Sequence, residues 1–239
     1  MLTTIKPTCP HCTSNSIKKN GKKYNRKQNF YCKNCHKQFL APSEYNSFSK
    51  QEIAKYIARA LVRGCEIRYV MAIFRVGSDF VYKIIKNLKY NNKPQKKWYE
   101  CLEIDEFWTY VGKKENKKWL IYAYDRETGE IVAYVWGKRD AKTAKKLRDK
   151  LKAFGVEYGL ILTDNWDSFE KVFNGDLHIK GKYWTKGIEG NNCRLRHRNR
   201  RFFRKTCCFS KKLSYHLILF RATLYYINFR EFLFPAYQK

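Results

Sequence analysis

Apolar positions between residues 51 and 88 follow a helical period. In Gln51-Glu-Ile-Ala-Lys-Tyr-Ile-Ala-Arg-Ala-Leu-Val-Arg63 they fall at 53, 54, 57, 58, 60 and 61, one face of a helix. Ser49 is placed to cap this helix and Gly64 to end it. A second short helix is expected over 66–74. Arg75-Val-Gly77 then reads as a tight turn, with glycine where a positive φ is wanted. Ser78 should cap a third helix over 79–88, with Val81, Ile84, Ile85 and Leu88 inward. Helix, glycine-containing turn and capped helix make the helix-turn-helix pattern, whose second helix enters the major groove. Asp79, Tyr82, Lys83 and Lys86 would then face DNA. The plainer alternative is a three-helix bundle that joins domains.

After the polar stretch Lys89–Lys97, broken by Pro94, the pattern changes. Cys101–Val111, Trp119–Asp125 and Ile131–Trp136 read as three antiparallel strands joined by short turns. Asp140–Phe154 has the charge and period of a helix. Tyr158–Asp164 is an apolar run that suits a buried strand beside a crossover helix. A short helix over 166–173, a short strand over 177–180 and a basic helix from about 185 follow. This is the element order of a ribonuclease H-like α/β domain with a mixed five-stranded sheet. The expected domains are therefore a zinc ribbon over 1–42, a helix-turn-helix over 43–93 and the α/β domain over 94–239.

The first region owes its assignment to cysteine spacing. Cys9-Pro-His-Cys12 and Cys32-Lys-Asn-Cys35 stand 19 residues apart, as in a tetrahedral four-thiolate zinc site. Strands at 16–23 and 27–31 would bring the second knuckle back to the first. His11 and His36 lie in or beside the knuckles, but four cysteines already complete the shell. So short a module buries little core, so the structural zinc would supply much of its folding energy.

Charge points to a polyanion. The 239 residues carry 50 Lys and Arg against 21 Asp and Glu, a formal net charge of +29 spread along the whole chain. Such a charge repels itself unless neutralised, and nucleic acid is the usual counterpart. The 44% hydrophobic content is enough for a packed core and excludes general disorder. No stretch approaches the roughly 18 uninterrupted apolar residues of a membrane span. With no signal-peptide pattern at the N-terminus, a cytoplasmic, nucleoid-associated location is expected. There the nine cysteines would be reduced, which favours metal over disulfides.

In a chain so short of acids, three have notable settings. Asp105 sits inside an apolar strand, Asp164 ends another, and Glu189 opens the basic helix. Each has an ordinary alternative, as a solvated edge residue, a helix cap or a first-turn dipole partner. Together they would need a cation, and Mg²⁺ or Mn²⁺ suits a carboxylate set. Two such ions about 4 Å apart would activate a water or 3′-hydroxyl and stabilise the leaving oxygen of a phosphodiester. Arg196, seven residues after Glu189, shares its helix face and would hold a phosphate beside the metals. Asn192 belongs to the same stripe. Arg200, Arg204 and Lys205 would contact DNA further along.

Taken together these residues resemble the insertion-sequence-one type of transposases, within the DDE group. The likeness runs through the Cys-Pro-x-Cys knuckle, Asp105-Glu-Phe-Trp-x-Tyr-Val-Gly112, Trp119-Leu-x-Tyr-Ala-Tyr-Asp125 and Thr163-Asp-x-Trp166. It is most specific in Ile188-Glu-x-x-Asn-x-x-Leu-Arg196 and Arg204-Lys-Thr-x-x-Phe-Ser-Lys211. The resemblance implies a triad at Asp105, Asp164 and Glu189, a Mg²⁺ cofactor, terminal inverted repeats and target DNA as substrates, and a homodimer or larger multimer. Gly190 departs from it, since members often carry a charged or imidazole side chain there. His197-Arg-Asn-Arg200 with Tyr225 and Tyr226 offers a rival, a covalent tyrosine-recombinase mechanism. A non-catalytic DNA-binding regulator and a stand-alone resolvase are further alternatives.

Overall fold

A computed structural model of the protein describes residues 7–24, 27–40, 49–203, 205 and 208–230. Arg204 lies outside the described residues. Where the sequence suggests three domains, contacts divide the chain into two compact units, Met1–Glu52 and Ile53–Lys239.

The first unit is a three-stranded antiparallel sheet in the order β1 (Ile17–Lys22), β2 (Gln28–Cys32), β3 (Gln38–Leu40). The third strand was not expected from sequence, because three residues carry no readable alternation. Among the described residues its apolar cluster is small. Cys9, Phe30, Cys32 and Phe39 are buried, and the two phenylalanine rings stack at 5.8 Å.

The second unit is mixed α/β. Helix α1 (Lys50–Val62), which crosses the boundary at Glu52, α2 (Ile67–Phe74) and α3 (Ser78–Asn87) come first. Ser49 and Glu52 cap α1 reciprocally: Ser49 N donates to Glu52 Oε2 (2.7 Å) and Glu52 N to Ser49 Oγ (3.2 Å). The α2–α3 turn departs from expectation. Arg75, not glycine, takes the left-handed conformation (φ 50°), while Gly77 is extended and is the N-cap. Ser78 is therefore the first residue of α3 and not its cap.

A five-stranded sheet follows in the order β6-β5-β4-β7-β8. Strands β4 (Trp98–Val111), β5 (Lys113–Tyr124) and β6 (Ile131–Gly137) are antiparallel neighbours. Strands β7 (Glu157–Thr163) and β8 (His178–Lys180) run parallel to β4. Helix α4 (Ala141–Ala153), capped by Asp140 accepting from Thr143 N (2.8 Å), and α5 (Asp167–Val172) cover one face. Helices α6 (Lys186–Arg198) and α7 (Leu213–Phe229) cover the other, with Phe107, Leu120, Tyr122, Phe202 and Phe220 between.

Helices α1–α3 do not form a core of their own. Leu61, Val70, Val81 and Ile85 pack with Leu219, Ala222 and Tyr225 of α7. Buried polar bonds fasten the same join. Asn199 Nδ2 donates to Thr223 Oγ1 (3.0 Å), Thr223 Oγ1 donates to the Val62 carbonyl (3.0 Å), and Arg201 donates to the Cys65 carbonyl (2.8 Å). Gly64, at φ 86°, permits this approach: a Cβ there would stand 2.8 Å from the Arg200 amide nitrogen.

Candidate active site and metal clusters

Strand β7 stops at Thr163, opposite Ile104 of β4, while β4 runs on to Val111. Between Ile104 and Val111, where β4 next bridges Ser210, no described strand pairs with that edge, and the chain leaves β7 through Asp164. Consecutive residues on a strand point to opposite faces. Asp105 belongs to the α6 face and Glu106 to the α4 face. At this unpaired edge both can nevertheless approach Asp164, and carboxylate oxygens of all three lie within 4.8 Å of one another.

Each acid is held. Asp105 Oδ1 accepts the Glu106 amide (2.7 Å) and Oδ2 accepts Asn192 Nδ2 (2.8 Å). Asp164 Oδ1 accepts Trp166 N (3.1 Å), turning the chain into α5. Glu106 Oε1 accepts Arg139 Nε (2.6 Å), and that guanidinium lies 4.7 Å from the Trp166 ring centre and 5.6 Å from that of Trp119. Glu106 Oε2 is buried with no donor. Burial, then the charges of Glu106 and Asp164, push the Asp105 carboxyl up to about 7. Burial likewise raises Glu106. Three crowded carboxylates with one buried oxygen lacking a donor fit a hard divalent cation, which would supply the missing partner.

Helix α6 is fixed to β4 beside this cluster. Tyr122, buried and paired with Asp105 across β4–β5, donates its hydroxyl to Asn192 Oδ1 (2.8 Å). The Asn192 amide thus has its oxygen on Tyr122 and its nitrogen on Asp105. Two residues before Asp105, buried Glu103 accepts the Ile188 amide (2.7 Å) and pairs with Arg126 (2.7 Å). Glu189 follows Ile188, is exposed on the first turn of α6, and is not among the three grouped acids. Arg196 lies on the same stripe, its guanidinium 4.7 Å from the Phe107 ring centre.

The other expected DNA contacts are scattered. Lys83 and Lys86 are exposed on α3, whereas the Tyr82 ring stacks on Tyr215 of α7 at 4.9 Å. Arg200 and Lys205 are exposed. Tyr225 stacks on Tyr90 (4.7 Å), and Tyr226 accepts from Arg63 (2.7 Å), so both tyrosines belong to the packing around α7.

In the first unit Cys9, Cys12, Cys32 and Cys35 bring their sulfurs within 4.8 Å of one another. Cys9–Cys35 and Cys12–Cys32 are each 3.6 Å apart. A tetrahedral ion with about 2.3 Å bonds to sulfur needs about 3.8 Å between sulfurs, so the set fits zinc. The two knuckles are alike in backbone. Cys9 N bonds the Ser14 carbonyl (3.0 Å) and Cys32 N the Lys37 carbonyl (2.9 Å). Thr13 and His36, the residues after each second cysteine, take φ of 57° and 58°. His36 Nδ1 is bonded to Tyr31 Oη (2.8 Å) and is not one of the clustered groups.

Sequence reasoning missed Glu106, Arg139, Glu103 and Tyr122. The adjacent acids Asp105-Glu106 were a signal for Glu106. Nothing near Arg139 in sequence pointed to it.

The sequence pattern of the family described as IS1 transposase matches residues 99–232. The insertion element iso-IS1n protein InsB of Shigella dysenteriae is 40% identical over 114 residues, 48% of this chain and 86% of that protein. The insertion element IS1 2 protein InsB of Escherichia coli (strain K12) is 40% identical over 116 residues, covering 48% and 68%. A chain of the simian T-cell lymphotropic virus intasome, solved with the PP2A regulatory subunit B56 gamma, overlays at TM-score 0.36 and 12% identity over 77% of each chain, too slight a likeness to carry the fold. With more than half of its 239 residues matched by the family pattern, this chain belongs to the IS1 transposase family.

Proposed function

We propose that the protein binds the terminal inverted repeats of an insertion sequence and catalyses metal-dependent cleavage and transfer of DNA strands. The observation that carries this reading is the meeting of Asp105, Glu106 and Asp164 where β7 ends. We read the second unit as a ribonuclease H-like domain, on the ground of its strand order and of acids at the carboxyl end of a parallel strand.

Asp105 and Asp164 would hold Mg²⁺ or Mn²⁺, two ions per site, with Glu189 as the third member of the triad, one helical turn before Asn192. Glu106, through its undonated Oε2, is a further candidate ligand. The ions would polarise the scissile phosphate and activate water or a 3′-hydroxyl. The chain's own residues orient and exclude. Asn192 and Tyr122 fix the Asp105 carboxylate, Arg139, itself set against Trp119 and Trp166, holds Glu106, and Arg196 supplies positive charge beside the cluster. Zinc in the four-cysteine site holds the first unit together. Its lysines, with Lys83, Lys86, Arg200, Arg204 and Lys205, neutralise DNA phosphates, and Tyr82 contacts the same backbone without adding charge. Pairing two element ends calls for a dimer or larger multimer on DNA, so the protein works in the nucleoid. No described helix is long and apolar enough to cross a membrane.

Labelled element-end DNA tests this reading. With Mg²⁺ or Mn²⁺ the protein should cut it, leave a free 3′-hydroxyl and join that end to target DNA, and chelator should abolish both steps. Activity that survives chelator and leaves protein attached to DNA would overturn it.

A further inference from the structure

Helix α6 carries two stripes. Asn192 and Arg196 face β4 and the acids. Asn191, Arg194 and Arg198, about a third of a turn round the helix, line a separate cavity of about 520 Å³. The turn from Arg126 to Gly129 and the end of α7 close its other sides. Arg198 and Arg230 also line an adjoining cavity of about 330 Å³ with Arg63.

The charge here is one-sided. Among the described residues no carboxylate pairs with Arg63, Lys186, Arg194, Arg198 or Arg230. The one acid in the lining, Glu127, is paired with Lys96 (3.7 Å). Two of the arginines are held by neutral groups instead. Arg194 donates to Tyr124 Oη (2.9 Å), and Arg63 to Tyr226 Oη (2.7 Å). Such bonds aim a guanidinium without cancelling its charge. Burial, then neighbouring Arg230 and Arg194, lowers the Arg198 pKa, the expected sign for cations crowded without a counter-charge. Guanidinium groups gathered in this way match phosphate oxygens in geometry and charge.

We infer that this cavity is a phosphate-binding site for the backbone of DNA, set on a flank of α6 separate from the one that faces the acids. The inference rests on the proposed DNA chemistry but adds a surface that the acid cluster does not need. Two sources would present the same backbone: the element end as it continues past the cut site, or the target duplex awaiting attack. With the element end here, α6 would lie between two stretches of one duplex. With target DNA, it would lie between the two reacting partners.

The test replaces Arg198 and Arg230 together by Gln, with the Lys pair as rescue and Lys145→Gln/Lys146→Gln on the opposite side of the sheet as a charge-matched control. Binding of a labelled duplex is read in chelator over a range of salt, so that chemistry at the acids plays no part. If the cavity holds the element end, affinity for end DNA falls on the order of tenfold near 0.1 M salt. The slope of log K against log salt becomes shallower by about 2, beyond any change in the control. If it holds target DNA, end binding and cleavage persist, while joining of a pre-cut end to target falls by a similar factor. Either loss should be largely restored by the Lys pair. End binding, salt slope and joining that all match the control would overturn the inference, whatever the outcome of the metal-dependent cleavage assay.

Discussion

Asn192 on α6 donates its side-chain amide to Asp105 on β4 at 2.8 Å, and the buried Tyr122 hydroxyl determines which end of that amide faces the acid. Without Tyr122 the amide could turn its oxygen toward the carboxylate. Tyr122→Phe should therefore fold but cleave DNA about five- to tenfold more slowly, the scale of one hydrogen bond. Asn192→Leu should cost more, because Asp105 loses its donor outright. Single-turnover cleavage at saturating DNA measures both. A rate unchanged in both variants would show that the relay does not position Asp105.

Two glycines on α6 should respond in opposite directions. At Gly187 a Cβ would collide with Glu103 Oε1 and Arg126 Nε, the groups that hold the helix start against β4. Gly187→Ala is expected to destabilise by about 1–3 kcal/mol, as overpacking does, and to slow cleavage. At Gly190 nothing lies within 4 Å of a Cβ, and the residue is exposed within the helix. Gly190→Ala should stabilise by about 0.5–1 kcal/mol through helix propensity alone. Urea unfolding of both variants checks the sign of each.

His216 should make the second unit sensitive to acid. It is fully buried, accepts or donates one bond with Ser210 Oγ (3.0 Å), and packs against Trp136 and Phe202. Burial, then the charge of Arg201, pushes its pKa down to about 4. In the unfolded chain the ring titrates near 6.5. Between those values the unfolded state binds a proton that the folded state refuses. Stability from this residue is thus full above about pH 6.5 and declines as pH falls toward 4, by up to about 3 kcal/mol in total. His216→Leu should flatten the fall in unfolding midpoint between pH 7 and pH 4.5. A slope identical to that of the parent would show that the ring does not titrate on unfolding.

Loss of one thiolate should be confined to the first unit. Cys32→Ser removes a buried ligand from a unit whose buried apolar cluster, among the described residues, is Cys9, Phe30, Cys32 and Phe39. The variant should release zinc, expose residues 7–40 to protease and leave the melting of the second unit within about a degree. Protease resistance of that segment without zinc would contradict a folding role for the ion.

The elements that were legible in sequence are those with local causes. Cysteine spacing marks the knuckles, and the capped helix over 141–153 and the apolar strand over 157–163 follow their periods closely. Asp105 and Asp164 stand out because apolar strands disfavour acids. Glu106 was hidden by the same reasoning, since strand alternation assigns it to the other face. It reaches Asp164 only because β7 stops early, and register is a long-range property. The junction of α1–α3 with α7 was equally invisible. It depends on Thr223, bonded to both Asn199 and Val62, and Val62 lies 161 residues before it in sequence. The left-handed Arg75 shows a further limit. A glycine two residues away drew the expectation of positive φ, but that glycine serves as an N-cap.

The most direct measurement is single-turnover cleavage of labelled element-end DNA in Mn²⁺ by Asp105→Asn and Asp164→Asn, with Glu106→Gln and Glu189→Gln alongside and DNA binding read in parallel. Both aspartate variants should bind the end as the parent does and lose cleavage by at least ~10³-fold, with Glu189→Gln close behind. Loss in Glu106→Gln would add that residue to the metal-holding set, and its absence would leave it as the partner of Arg139. Cleavage that persists in Asp105→Asn and Asp164→Asn at intact DNA binding would place the chemistry somewhere other than the end of β7.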